Sequence, residues 1–561
     1  MAISIFKPAN KMIVGLVIFL MVSCSKGGAP AAPLQPSNPC IVNGIDTCAA
    51  SKVIKASINL NQTFQTIHSF GASDCWTIKF VGKNWPEAKR NEIADLLFGK
   101  SFDANGNPKG IGLSMWRSNI GAGSFEQGAA SNISSDWRRE ECYLNSNGTY
   151  DWTKQSGNRW FLKAAKDRGV ENLLLFSISA PVSMTKNGYA FGPDGAEKGK
   201  LNLATGKTDA FADFLTEVVK RYNQDSLPIK YLSPVNEPQW DWTANSSGKA
   251  SQEGTAATNE EVSNFIKAID QKITNKALSV KITASEVASL NYMYQTVSDN
   301  PLRSDVVNYS WNPASSGYIG NLPSMEKAVL GHSYFAQPNV SGLVSNRVAL
   351  QNKINAVNPT LNFWQSEYCI LGNEDNTAGN GRDLGIESAL YIARVMHTDL
   401  ALANAASWCW WLAVSPADYK DGLIYVADLS GNMGELEATK SDGLIYKSKM
   451  LWAVGNYSRF VRPGMKRVSA ALDSYSNAED AAKNLMISTY KDEVNKQVVI
   501  VIINMTTAAQ NINLTGVNFV SGSVKSYTTS YSKDLSVSSV SDITKIPVEG
   551  KSIVTLVGNY Q

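Results

Sequence analysis

The apolar positions of this 561-residue chain fall into three regimes. From Val53 to Ile67 they alternate in strand fashion, through Val53, Ile54, Ile58, Leu60, Phe64 and Ile67. From His68 to Val454, short apolar runs are separated by stretches of helical period. The runs are HSFGAS (68–73), GLSMWRSN (112–119), NLLLFSIS (172–179) and IKYLSPVNE (229–237), then VKITASE (280–286), VLGHSYF (329–335), NFWQSE (362–367) and ASWCWWLA (406–413). Strands that alternate in this way with helices predict a (β/α)8 TIM barrel. Between the third and fourth runs, Phe211, Phe214, Leu215, Val218, Val219 and Tyr222 recur at helical spacing behind Thr208-Asp209, which predicts a helix capped there. The competing fold, an open doubly wound sheet, wants a glycine-rich phosphate turn after its first strand, and Phe70-Gly71-Ala72-Ser73 is not one. From 455 to 561 the helical spacing stops, and strands alternate with turns rich in Ser, Thr, Asn and Gly. A β-sandwich side domain is expected there, completed by the strands of 53–67.

The first residues read as an address. Lys7 and Lys11 precede an apolar run, Met12 to Val22, that is short for a membrane span and ends in Ser23-Cys24. A bacterial lipoprotein signal is expected over 1–23, with lipid attached to Cys24, and an ordinary secretory signal is the alternative. Residues 24–52, rich in Gly, Ala, Pro and Ser, are expected to be a tether. The protein is then exported and anchored at the cell envelope, at the outer membrane, touching the membrane only through that lipid. Export permits disulfides. Pairing of Cys40 with Cys48 and of Cys75 with Cys142 is expected, with Cys369 and Cys409 as buried thiols.

Charge narrows the function classes. A formal net charge of +3 over this length offers no case for a nucleic-acid partner. The three histidines, His68, His332 and His397, have no spacing to cysteine that suggests a zinc site, so neither a metal nor another cofactor is expected. The protein is expected to act as a monomer.

The candidate chemistry lies in YLSPVNEPQWDW, Tyr231 to Trp242, where Asn236-Glu237-Pro238 ends the fourth run and Trp240 and Trp242 follow. A second acid, Glu367, ends the seventh run in FWQSEYC. Barrel enzymes keep their sites at the C-terminal ends of their strands. One acid to protonate a leaving oxygen and one to attack an anomeric carbon make a retaining glycosidase. Glu237 is then expected to have a raised pKa, and Glu367 to be ionised beside Arg117.

With HSFGAS, LSMWRSNIG, SISAPVSMTKNG, SPVNEP, WQSEY and the Trp-rich eighth run, the chain resembles glycoside hydrolase family 30 over nearly all of its mature length. The resemblance implies a polysaccharide substrate, with Glu237 as acid/base and Glu367 as nucleophile. It also implies that Asn236 binds the adjacent 2-hydroxyl, that Arg117 lies near the nucleophile, and that Tyr334 and Trp411 shape the subsite. The chain departs from the family after the third strand, where Ile178 to Met184 replaces a tryptophan-rich segment. Met184 to Gly188 after the third strand and the eighth-strand region Trp408 to Tyr425 look most like the endo-β-1,6-galactanases, with glucuronoxylanase and β-1,6-glucanase as alternatives.

Among other polar and aromatic residues, Trp76 and Trp240 are expected to stack on sugars. Asp74, Glu286, Lys186 and Asn187 are expected at the polar rim of substrate binding, and His332 as a strand histidine. The alternative from another class is a surface lipoprotein that binds glycans without cutting them, which would be expected to lack one of the two acids.

Overall fold

A computed structural model describes residues 53–561, together with the two short strands Ile41–Val42 and Ile45–Asp46. The expected lipoprotein signal, most of the tether and the Cys40–Cys48 pair lie outside the described residues. Among the described residues no helix is long and apolar enough to cross a membrane.

The eight predicted strands form a closed parallel barrel, from Ser69–Ser73 through Met115–Ile120, Asn172–Ser177, Ile229–Ser233, Lys281–Val287, Met325–His332 and Asn362–Tyr368 to Ala405–Ser415. The eighth strand closes the ring by pairing with both the seventh and the first. Strands of this kind are covered on both faces, so their sequences read as apolar runs rather than alternations. Every residue of Met115–Ile120 and of Asn172–Ser177 is buried. The eighth strand overruns the barrel and continues into two further strands, Gly422–Ala427 and Leu444–Lys447.

The predicted amphipathic helix spans Thr208–Gln224 and buries all six of its apolar stripe residues. Its N-cap is Lys207, without a side-chain hydrogen bond, so Thr208 lies inside the helix rather than capping it. A capping box does occur one helix later, where Thr258 and Glu261 satisfy each other's backbone at the start of Asn259–Asn275.

The side domain is a nine-stranded sheet that curls around its own core. Its first strand, Val53–Thr66, sits inside the sheet, antiparallel to Lys466–Leu472 and parallel to Gln510–Thr515. The two ends of the chain therefore share one sheet. Strand Gln497–Asn504 shows how this sheet meets the barrel. Val498, Ile500 and Ile502 enter the side-domain core, while Val499, Val501 and Ile503 join the barrel's core. Helices Ile386–Ala401 and Lys449–Ser458 fill that seam, the former buried along nearly its whole length. Asn456 fastens it by donating to the carbonyl of Tyr527 at 3.2 Å and to the Thr555 hydroxyl at 2.9 Å.

The Cys75–Cys142 disulfide is not formed. Both residues are buried free thiols, as are Cys369 and Cys409. Burial pushes the Cys142 and Cys409 thiols up to about 12, where they are inert. Cys75 is built into the strand-one end, and the two sulfurs serve as packing.

Candidate active site

Glu237 lies just past the fourth strand, whose pairing continues as a bridge between Asn236 and Glu286 on the fifth. The chain then turns sharply, with φ of +47° at Glu237, a left-handed conformation that costs a non-glycine residue and clusters at functional sites. Its N–H donates to the Glu286 carbonyl at 2.8 Å. Its own carbonyl accepts from the Trp240 N–H at 3.2 Å and from Trp242 Nε1 at 3.1 Å. The acid is thus held by a pinned peptide as well as by the proline that follows.

Beneath it Arg117, buried on the second strand, uses its planar fork on four partners. Nη1 donates to Glu367 Oε2 and to Ser73 Oγ, both at 2.8 Å. Nη2 donates to Asn236 Oδ1 at 2.7 Å and to Glu286 Oε2 at 2.6 Å. A lysine has no such fork. The Arg117 bond engages the amide oxygen of Asn236, which leaves its N–H2 as the donor it presents. The Tyr334 hydroxyl donates to Glu367 Oε1 at 3.1 Å. The expected placement of Arg117, Asn236 and Tyr334 around the two acids is what the barrel assembles.

His332, at the end of the sixth strand, bridges two carboxylates. Nδ1 lies 2.7 Å from Glu237 Oε1, and Nε2 lies 3.2 Å from Glu286 Oε2. Burial alone would lower its pKa, but the charge of Glu367 and the bonds to Glu237 and Glu286 push it up to about 10. A ring with a carboxylate at each nitrogen favours the protonated form, which donates to both. Burial would likewise raise Glu286, but Arg117 and His332 hold it down at about 2. Glu367 is raised to about 7, by burial first and by the charges of Glu237 and Glu286, against the pull of His332 and Arg117.

The expectation placed the raised pKa on Glu237 and none on Glu367. The upward push on Glu367 arises first from its burial at the floor of the site and then from the two other carboxylates beside it. Ligand atoms of Glu237, His332 and Glu367 all lie within 4.8 Å of one another.

Several predicted substrate contacts are corrected. Glu286 is fully buried and spends itself on Arg117 and His332, so it is a counter-charge rather than a rim residue. Asp74 is also fully buried, accepting from Ser118 Oγ, Asn158 Nδ2 and the Asn119 N–H, and it ties the first two strands together. Lys186 is paired with Glu197 at 2.5 Å. Asn187 uses its amide to build its own loop, donating to the Phe191 carbonyl and accepting from the Tyr189 N–H and Asn202 Nδ2. Arg117 itself is sealed beneath the acids and acts through Glu367 and Asn236.

Aromatic groups flank the acids on two sides. On the side of strands one and eight, Trp76 and Trp411 meet edge-on at 5.2 Å, with Trp411 5.9 Å from the Arg117 guanidinium. Arg138 lies 4.1 Å over the Trp76 ring. On the side of strands four to six stand Trp240, Tyr292 and Phe335. The last two, and His332 as a bridge between acids, are not visible as site residues in the sequence. Nor is Asn119, one pleat above Arg117, which is buried with no protein hydrogen bond to either amide atom.

Residues 53–425 match the family described as O-Glycosyl hydrolase family 30, which takes in the first side-domain strand and the barrel with both acids. The chain belongs to O-glycosyl hydrolase family 30. A conserved exported protein from Bacteroides fragilis is 35% identical, with 90% of this chain and 100% of that one aligned at a TM-score of 0.83. The catalytic domain of family 30 xylanase C from Talaromyces cellulolyticus shares the fold at 20% identity and a TM-score of 0.63, covering 90% of this chain and all of that one. Glucuronoxylanase XynC of Bacillus subtilis is 27% identical over 173 residues, which is 31% of this chain and only 33% of the relative. As a family 30 member the protein is a glycoside hydrolase.

Proposed function

We propose that the chain is a retaining endo-glycosidase that cleaves β-1,6-galactan side chains of arabinogalactan-type polysaccharide. The observation that carries the mechanism is the spacing of Glu237 and Glu367, whose nearest oxygens are within 4.8 Å. Retaining glycosidases keep their carboxyls about 5 Å apart, whereas inverting ones need room for a water. Three carboxyls and two buried cations, Arg117 and His332, meet here. One added proton makes the five groups neutral, which a low-dielectric site favours. Arg117 and Tyr334 both donate to Glu367 and so keep the negative charge there. Glu237, at the end of strand four, is then the group that hands a proton to the leaving oxygen.

In the first step Glu367 attacks the anomeric carbon while Glu237 delivers its proton to the departing glycosidic oxygen. The C–O bond to the leaving sugar breaks as the glycosyl ester forms. Esterification removes the charge of Glu367, and Glu237, now a carboxylate beside the His332 imidazolium, takes a proton from water. That water attacks the same carbon and releases Glu367 with the original configuration restored. The N–H2 of Asn236 donates to the 2-hydroxyl, a bond that strengthens as positive charge grows at the anomeric centre.

The substrate reading rests on the eighth-strand region Trp408 to Tyr425 and on Met184 to Gly188 after strand three. The glucuronoxylanase reading needs a free cation for an acidic branch, and Lys186 after strand three and Lys420 after strand eight are both engaged. Lys186 is neutralised by Glu197, and Lys420 donates to the Ala378 and Asn380 carbonyls at 2.8 and 2.7 Å. This favours a neutral chain. De-arabinosylated arabinogalactan should release β-1,6-linked galacto-oligosaccharides, with early product in the β configuration by NMR. Activity confined to glucuronoxylan would overturn the substrate, and α product at early times would overturn the mechanism.

We further propose that Cys24 is lipidated and anchors the enzyme at the envelope. Cells fed labelled palmitate should label the wild type and not Cys24→Ser, and label on both or on neither would refute the anchor.

A further inference from the structure

Phe335 is an exposed aromatic on a left-handed backbone beside the acids. It follows Tyr334 directly, is 43% exposed, and holds φ at +56°, a region that a bulky side chain rarely occupies. Trp76 and Trp411, across the acids, are only 4% and 8% exposed, as packing rings are. An exposed aromatic in a strained backbone gains little for the fold, and strain of this kind collects at ligand clamps.

Phe335 does not stand alone. Its ring meets Trp240 at 6.2 Å and 82°, and Trp240 meets Tyr292 at 5.8 Å and 88°. The three rings come from the loops after strands six, four and five, and Trp240 is bonded through its N–H to the Glu237 carbonyl. Gly372, after strand seven, makes room for the cluster, since a Cβ there would lie 3.1 Å from the Phe335 ring.

We infer that Trp240, Tyr292 and Phe335 form the subsite for the leaving sugar, and that its shape selects a bent chain. The inference rests on the assignment of Glu237 as the acid. That acid protonates the oxygen of the departing sugar, so the departing sugar lies on the Glu237 side, away from the Trp76–Trp411 pair. Aromatic faces take the C–H-rich faces of sugars. Rings at nearly right angles make a corner, which a flat β-1,4-linked ribbon cannot follow. A 1,6-linked chain has an extra rotatable bond at each linkage and turns into a corner readily. Galactose suits it further, because its axial 4-hydroxyl leaves one face for stacking.

The test compares leaving groups with and without a sugar ring. Wild type, Phe335→Ala and Phe335→Leu are assayed on galactosyl, glucosyl and xylosyl fluorides in the β configuration, and on oligosaccharides of the sugar that wild type accepts. Fluoride occupies no leaving-sugar subsite. Both variants should lower kcat/KM on the oligosaccharide by about tenfold more than on the fluoride, the order expected for one aromatic contact. Trp240→Phe, which keeps a ring, should recover most of the ratio lost in Trp240→Ala. Wild-type preference for glucosyl or xylosyl fluoride would overturn the galactan assignment, while the ratio measured with that sugar would still decide the subsite. Equal losses on fluoride and oligosaccharide, or an unchanged ratio, would overturn the inference.

Discussion

Glu367→Gln is expected to abolish turnover, with kcat falling by about 10^4-fold or more, as when a covalent nucleophile is removed. The substitution keeps the bonds from Arg117 and Tyr334 within reach of an isosteric side chain, so folding should survive while the attacking oxygen is lost. Glu237→Ala should behave differently. On polysaccharide it should lose about 10^2- to 10^4-fold, the worth of a general acid. On an aryl glycoside with a good leaving group, the first step no longer needs that proton, and the glycosyl ester accumulates. Azide then enters the space left by the carboxylate and should restore turnover, giving the β-glycosyl azide. A β-azide from the Glu367 variant, with an α-azide from Glu237→Ala, would mean that the two roles are reversed.

Glu286→Gln is the second large effect. The change keeps the shape but removes the charge shared by Arg117 and His332, which sit at 2.6 and 3.2 Å from Oε2. Breaking a buried ion pair from one side costs about 3–5 kcal/mol. The pH dependence gives the loss a signature. Glu286 has a depressed pKa in the fold, about 2, so its contribution is whole above the ordinary carboxyl value and is lost as pH falls toward 2. His332 has a raised pKa, about 10, so its contribution is whole below the ordinary imidazole value and is lost as pH rises toward 10. The Tm gap between wild type and Glu286→Gln should be widest near pH 5–6 and close toward both ends. A positive charge left uncompensated under the acids should also move the basic limb of the kcat/KM profile to lower pH. A Tm gap independent of pH, with an unmoved profile, would mean that Glu286 only fills space.

Much of this was legible in the chain. The strand runs and the helical stripe of Phe211 to Tyr222 follow from the period of apolar residues, because each segment's period records which of its own faces is covered. Glu237 and Glu367 were visible because each ends an apolar run, and the ends of barrel strands face the site. The family resemblance named Arg117, Asn236 and Tyr334, and the barrel brings all three into hydrogen-bonding reach of one another or of Glu367. The polar rim was read less well. Asp74, Lys186, Asn187 and Glu286 follow strand ends as the two acids do, and local sequence cannot separate an acid that faces substrate from one that neutralises a neighbour.

What tertiary structure alone decided is which charges meet. Arg117 reaches Glu286 across 169 residues and Glu367 across 250, and His332 reaches Glu237 across 95. Those contacts depend on the register with which eight strands close, and no single segment encodes that sum. The same closure buries Cys75 and Cys142 as free thiols and turns Phe335 outward beside Trp240. The sequence by itself determined the barrel, the side sheet shared by both ends of the chain, and the two acids, since burial pattern and strand position are local properties. The electrostatic balance among the acids, and the corner of rings beside them, exist only where distant strand ends are brought within a few ångströms in a medium that screens charge poorly.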